Sequence, residues 1–336
     1  MVDQVKQVYS DISVIICAYT QQRWQDLVEA VASVRRQTLL PLEIIVVVDH
    51  NPALLAQVQE QLDGVIAVQN DEQQGLSGAR NSGIAQARGR LLAFLDDDAL
   101  AAPDWLQQLQ EAFTDPHVLG AGGPVLPRWL AHKPDWLPPE FYWVVGCTYL
   151  GLPTTVSVVR NPIGANMCFR SVIFTTVGGF RNGIGRVGTR PVGCEETELC
   201  IRAHQRWPDH YFLYLPAATV EHRVPPQRAT WRYFFARCYA EGISKAFIGR
   251  FVGARDSLSA ERTYTTRTLP LGVLRNLAAP FSRRDLAGLA RAAAIVSGLA
   301  ATTGGYIVGR LFARASMSED KSAVVPEAVP VPLEPL

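Results

Sequence analysis

Three consecutive carboxylates, Asp96, Asp97 and Asp98, follow directly on the apolar run Leu91–Leu95. Such acids repel one another, and the cluster is comfortable only where a cation or a donor network neutralises it. Oxygen ligands with room for phosphate oxygens suit Mg2+ or Mn2+. The plainer alternative is helix capping, because a helix is expected from Pro103. Asp104 stands closer to that helix, so capping leaves three acids unexplained. A second cluster, Glu195-Glu196-Thr197-Glu198, opens a helical stretch Glu195–Ala203. Acids are favoured at a helix start whatever else they do. His222 stands alone in VEHRV. No G-x-S-x-G motif offers an activated serine.

These residues need a scaffold, and the first half of the chain supplies one. Ser13–Ala18, Glu43–Val48, Val65–Gln69 and Leu91–Leu95 read as strands. Leu27–Arg36, Ala53–Leu62, Ser77–Ala87 and Pro103–Phe113 read as helices, the last with Pro in its first turn. Continuous apolar strands alternating with helices define an α/β fold with a mostly parallel sheet flanked by helices. Ligands in such sheets sit at the carboxyl ends of the strands, where Asp96 to Asp98 fall. Residues 120–162 are rich in Gly, Pro and aromatics and read as loop. Their Trp136, Tyr142 and Trp143 suit either packing or stacking on a sugar or lipid. Mixed α/β character returns over 163–222, with a strand at Tyr211–Leu215. From Trp231 the chain reads as helical and basic. Ala292–Gly309 carries no charge over 18 residues, near the lower limit for a bilayer span. Its Ser, Thr and Gly content favours an interfacial or buried helix. The Pro-rich residues 315–336 read as disordered.

Composition removes several classes. Of 336 residues, 48% are apolar, so wholesale disorder is excluded. The net charge of +1 argues against a nucleic-acid binder. It hides a net of −7 over residues 1–222, +11 over 223–314 and −3 over 315–336, so body and basic segment face different partners. Six scattered cysteines without a C-x-x-C pair point to a reduced, cytoplasmic setting, and no secretory signal is read. An apolar strand ending in acids suits a nucleotide triphosphatase, but no G-x-x-x-x-G-K-[ST] loop accompanies it. A dinucleotide-type G-x-G-x-x-G is also missing after the first strand.

The segments SVIICAYTQ, SVRRQTLLPLEIIVVVDH and GLSGARNSGIAQARGRLLAFLDDDA together resemble the nucleotide-binding half of family 2 glycosyltransferases. The resemblance covers roughly residues 11–222. It implies a GT-A fold, a glycosyltransferase domain over 1–222 (nucleotide half about 11–119, acceptor half about 120–222) and a basic helical segment over 223–314. It further implies inverting transfer of a sugar from a nucleotide-diphosphate donor. Carried over by motif, Cys17 and Tyr19 border the base, and Asp49 binds the base or ribose. Gly75 admits close backbone approach, and Arg80 lies against the nucleotide. Asp96 and Asp98 form the D-x-D pair, with Asp98 the metal ligand, Asp96 facing the ribose or the metal's water shell, and Asp97 in the same donor site. The family usually has two acids after the second strand; this chain has Val48-Asp49-His50-Asn51.

The same resemblance makes Glu196, with Glu195 beside it, the candidate base that takes the acceptor proton. His222 joins the metal and diphosphate, and Asn166 of GANM lies on the acceptor side. The cofactor implied is Mn2+ or Mg2+. The basic segment, with Arg and aromatics mixed in Thr230–Arg250, suits an anionic membrane surface at its cytoplasmic face. The acceptor is then a carbohydrate or a lipid-linked sugar, while self-association stays open. The competing classes are a nucleotidyltransferase, whose Gly-rich basic loop CAYTQQRW does not match, and a non-catalytic nucleotide-sugar scaffold, which would be expected to lose these acids.

Overall fold

Runs of β-branched residues become the inner strands. A computed structural model describes residues 10–186, 193–253 and 261–316. Strands β1 (Ile12–Ala18), β2 (Glu43–Val48), β3 (Ile66–Gln69) and β4 (Leu91–Asp96) lie parallel to one another. A short β5 (Ala99–Ala101) follows β4 across the acidic turn. Later come β6 (Val118–Gly122), β7 (Val125–Trp129), β8 (Ser157–Val159), β9 (Asn166–Arg170), β10 (Tyr211–Tyr214) and β11 (Val220–Val224). The large sheet has the order β3-β2-β1-β4-β9-β6-β10-β8, and a small sheet the order β5-β11-β7. Four of the seven neighbouring pairs in the large sheet are parallel, so a parallel core is extended by antiparallel strands inserted around β9.

Helices cover both faces of this sheet. They are α1 (Trp24–Arg35), α2 (Pro52–Gln61), α3 (Leu76–Gln86), α4 (Trp105–Ala112) and α5 (Val172–Val177). On one face Ile12, Val14 and Ile16 of β1 share a core with Leu27 and Val31 of α1, Leu54 of α2 and Trp105 of α4. Burying each such large side chain contributes about 1.5–3 kcal/mol. On the other face α3 comes so close that a Cβ on Gly83 would stand 2.7 Å from Ile15. Asn51 caps α2 by accepting from Leu54 N at 3.0 Å, with Pro52 at the first helical position.

Two stretches differ from the sequence expectation. Helix α4 starts at Trp105, not Pro103. Ala102 and Pro103 are held as a turn, with Pro103 O accepting from Thr38 N and Ala102 O accepting from Gln37 Nε2 and Trp105 N. The Gly/Pro-rich 120–162 region contains β7, β8, most of β6 and a 3-10 helix at Pro139–Val145. Gly120 is a strand residue because the Phe169 and Phe212 rings fill its side-chain space; a Cβ there would lie 2.4 Å from Phe169.

The described residues fall into two compact units. One is drawn from Met1–Leu126, Pro153–Asn182 and Arg202–His222, the other from Pro127–Leu152, Gly183–Ile201 and Arg223–Leu336. Helix α6 (Glu195–Arg206) begins in the second unit and ends in the first. The second unit is built on α7 (Trp231–Val252), α8 (Leu269–Arg283) and α9 (Ala287–Ser316). Contacts advance in step from Phe234–Gly298 to Tyr239–Gly305 and Ala246–Gly309, so α7 and α9 run parallel. Helix α8 folds back along α9 through a turn with Arg284 in the left-handed region. The aromatics of α7 are divided: Phe234 and Phe247 are buried, Trp231 stacks on Trp136 at 3.9 Å while staying partly exposed, and Phe235 and Phe251 are exposed. Trp143 donates to the Tyr264 hydroxyl at 3.1 Å. All but the first two residues of 315–336 lie outside the described residues.

Candidate active site

The turn between β4 and β5 carries the three acids, and a distant strand completes the group. On β11, Val220, Glu221 and His222 pair with Ala101, Leu100 and Ala99 of β5. That register sets His222 beside the residue following Asp98. Its Nε2 lies 3.1 Å from Asp98 Oδ1 and 3.9 Å from Asp96 Oδ2. One donor atom each from Asp96, Asp98 and His222 fall within 4.8 Å of one another. Asp98 and His222 are buried, while the Asp96 side chain is 31% exposed and reaches the open side. Two carboxylates and an imidazole form a mixed oxygen and nitrogen donor set that fits Mn2+. These three donor atoms lie close enough to share one ion, so the residues present fit a divalent cation.

Asp97 is turned to a different partner. Arg23, at the start of α1, places Nη1 2.7 Å from Asp97 Oδ1 and 3.2 Å from Asp98 Oδ2. Burial pushes the Asp97 carboxyl up, and the Arg23 charge opposes it. Burial likewise opposes the charged guanidinium, yet Asp97 and Asp98 hold the Arg23 pKa above its ordinary value. Arg23 also lies over the Tyr19 ring at 5.2 Å and donates to its hydroxyl. Sequence reasoning missed Arg23. Its signal was an arginine at a helix N-terminus, where a cation is disfavoured unless an acid faces it. Arg23→Ala is expected to lower stability in EDTA by about 2 kcal/mol, discounted for partial exposure, with much of the loss restored by Mn2+. Thermal melts with and without Mn2+ measure this; an equal loss in both would separate Arg23 from the cation site.

The remaining first-unit candidates surround the end of the sheet. Arg80 of α3 is buried, donates to Gly164 O at 3.1 Å and approaches Asp96 Oδ1 at 3.8 Å. The Phe94 and Phe180 rings flank its guanidinium. Cys17 pairs in register with Asp96, and burial pushes its thiol up to about 12 against the pull of Arg80. Asp49 accepts from Asn70 Nδ2 at 2.6 Å, from the Gly75 amide at 3.0 Å and stands 2.9 Å from His50 Nδ1. Gly75, at φ 129°, starts α3 in a conformation that glycine alone adopts readily. Tyr19 is half-exposed beside these groups.

Asn166 is fully buried. Its Oδ1 accepts from Trp105 Nε1 at 2.8 Å, and its Nδ2 donates to Pro124 O at 3.0 Å and Ala218 O at 2.7 Å. Glu195 and Glu196 open α6 in the second unit, Glu195 buried and Glu196 half-buried. They follow Cys194, whose φ of 73° is a left-handed conformation unusual outside glycine and whose thiol approaches Glu241 Oε1 at 3.4 Å. Part of the 180–194 loop, residues 187–192, lies outside the described residues.

A nucleotide-type sheet with an acidic turn at its carboxyl edge is the arrangement of the GT-A glycosyltransferases. A mannosyltransferase from Pyrobaculum calidifontis, solved in complex with GDP-Man and Mn2+, shares the fold at a TM-score of 0.55 and 17% identity, over 92% of this chain and 88% of that one. Residues 13–177 match the profile of Glycosyl transferase family 2. The glucosyl-dolichyl phosphate glucuronosyltransferase of Haloferax volcanii is 36% identical over 238 residues, 70% of this chain and 76% of that relative. The chain belongs to glycosyl transferase family 2 and is a glycosyltransferase.

Proposed function

We propose that the enzyme moves a sugar from a nucleoside-diphosphate donor to a hydroxyl of a lipid-linked sugar, with inversion at the anomeric carbon. The observation that carries this reading is the Asp96, Asp98 and His222 donor set at the carboxyl edge of the sheet. Asp98 and His222 would hold a divalent cation, with Asp96 on its open side. Bound there, such an ion supplies positive charge against the donor diphosphate as the leaving group departs. Arg80 adds fixed charge next to Asp96, and Tyr19 and Asp49 border the base and ribose. Glu196 takes the proton of the acceptor hydroxyl as its oxygen bonds to the anomeric carbon and the bond to diphosphate breaks. That role rests on motif order within the family, with Glu195 as its neighbour. The lipid-linked acceptor is supported by the name of the Haloferax volcanii relative, and the donor class by the GDP-Man held by the Pyrobaculum mannosyltransferase. Donor and acceptor would meet at the cytoplasmic face of a membrane.

The test is a panel of nucleotide sugars with Mn2+ or Mg2+ and polyprenyl-phosphate-linked acceptors, read by nucleoside diphosphate release and labelled lipid product. Glu196→Gln is expected to lower transfer about a hundredfold with donor affinity unchanged. Loss in Glu195→Gln alone would move the base to Glu195. Transfer to soluble sugars only would overturn the lipid acceptor.

A further inference from the structure

Helix α8 is inside out. Its buried positions are Leu269, Gly272, Asn276 and Ala279, mostly small or polar. Its outward stripe is Leu271, Leu274, Leu277 and Phe281, at three- and four-residue spacing, and past the turn Leu286 and Leu289 are exposed as well. Phe281 is 91% exposed, Leu286 75% and Leu274 64%. A helix serving only a water-soluble core would turn these side chains inward. Helix α9 repeats the inversion. Gly298, Gly305 and Gly309 face inward, where a Cβ on Gly305 would stand 2.0 Å from Tyr239 O, while Val296, Ile307 and Leu311 face out. Small residues inside and large aliphatics outside are the packing that helices adopt against lipid.

Charge selects the partner. Residues 261–311 hold seven arginines against two acids, and both acids are engaged within the unit, Glu261 with Lys245 and Asp285 with Arg291. Arg267 is exposed one turn before Leu271 on the same face, Arg284 is exposed at the turn, and Arg262 is exposed nearby in sequence. A second copy of this chain would bring the same positive fringe against itself. An anionic lipid surface meets both the apolar stripe and the fringe.

We infer that the outward face of α8, with the α8–α9 turn, is a monolayer-inserting surface that seats the enzyme on anionic membranes. The helices lie in the interface and do not span. Ala287–Leu311 has the length and hydropathy to cross a bilayer, but its inner side packs on α7, which carries Arg237, Glu241 and Lys245. This deepens the proposed lipid-linked acceptor by giving the enzyme its contact with the membrane, yet it stands on packing and charge, and the test reads binding apart from transfer.

The full chain would be floated with phosphatidylcholine vesicles with and without phosphatidylglycerol. The wild type is expected to float with the anionic vesicles and to be released by alkaline carbonate. The double variant L274E/F281E is expected to lose at least about tenfold in vesicle partition. Its melting profile should be unchanged, since both side chains are exposed, and Phe281→Ala gives a milder version of the same loss. Val156→Glu, at an exposed apolar residue of the first unit, should leave binding unchanged. Failure to float, or equal floating by the double variant, overturns the proposal. A dimer that the same variant dissociates, without vesicle binding, would make the face an interface between copies. Retention through carbonate would make the helix a span. None of these results depends on sugar transfer, so a failed donor panel leaves them readable.

Discussion

Asp98→Ala is expected to lower metal-dependent transfer by about a thousandfold, the loss seen when one preorganised partner of a developing charge is removed. The side chain is buried between His222 at 3.1 Å and Arg23 at 3.2 Å, so no neighbouring carboxylate can swing into its place. Asp96 is more exposed and farther from the imidazole, and Asp97 is held by Arg23. With alanine at 98, the donor set keeps one carboxylate and one imidazole, too few for a hard divalent ion competing with water. Mn2+ titration followed by its paramagnetic signal should show weakened binding in parallel with lost turnover. Unchanged Mn2+ affinity in the variant would remove Asp98 from the cation site.

Asn166→Ala is expected to cost stability, by about 3–4 kcal/mol, before it costs chemistry. Pro124 O keeps a second donor in Val220 N, but Trp105 Nε1 and Ala218 O would lose the partner that Asn166 gives each of them. A buried group left unsatisfied costs about 1–3 kcal/mol, and a small cavity adds to it. The melting temperature should fall by about 6–15 °C for a unit of this size. The side chain joins three segments: α4 after the acidic turn, the bend between β6 and β7, and the loop leading into β11. It lies opposite Leu95 in the ladder, one residue before Asp96. Loosening Asn166 therefore loosens both sides of the cation site. A variant that melts like the wild type but shows a raised KM for acceptor alone would assign Asn166 to the acceptor instead.

What could be read in advance follows from which forces are local. Strands β1, β2 and β4 announce themselves because a strand buried on both faces reads as a nearly continuous apolar run. The acidic turn was legible for the opposite reason, as a local pattern too costly to be incidental. Strand β6 was hidden because Gly120 belongs to the packing of two phenylalanines far away in sequence. Arg23 was hidden because its partners, Asp97 and Asp98, lie in a turn more than seventy residues away along the chain. Helix α8 has an ordinary apolar periodicity, and periodicity cannot say which side faces in; only its neighbours Glu140 and α9 decide that.

The ladder between β5 and β11 has one more implication. Asp98 and His222 are separated by 124 positions along the chain. Closing a flexible loop of that length costs about 4 kcal/mol of chain entropy. The β4–β9, β9–β6 and β6–β10 ladders share that cost with the three rungs between β5 and β11, and Asn166 braces the loop that leads into them. An unfolded chain would offer a cation scattered carboxylates rather than this donor set. An ion bound there would stabilise only the folded molecule, by mass action. The family profile ends at residue 177, before the histidine arrives. The acids thus fall inside the stretch that the family profile matches, and the imidazole is delivered by a later stretch of chain.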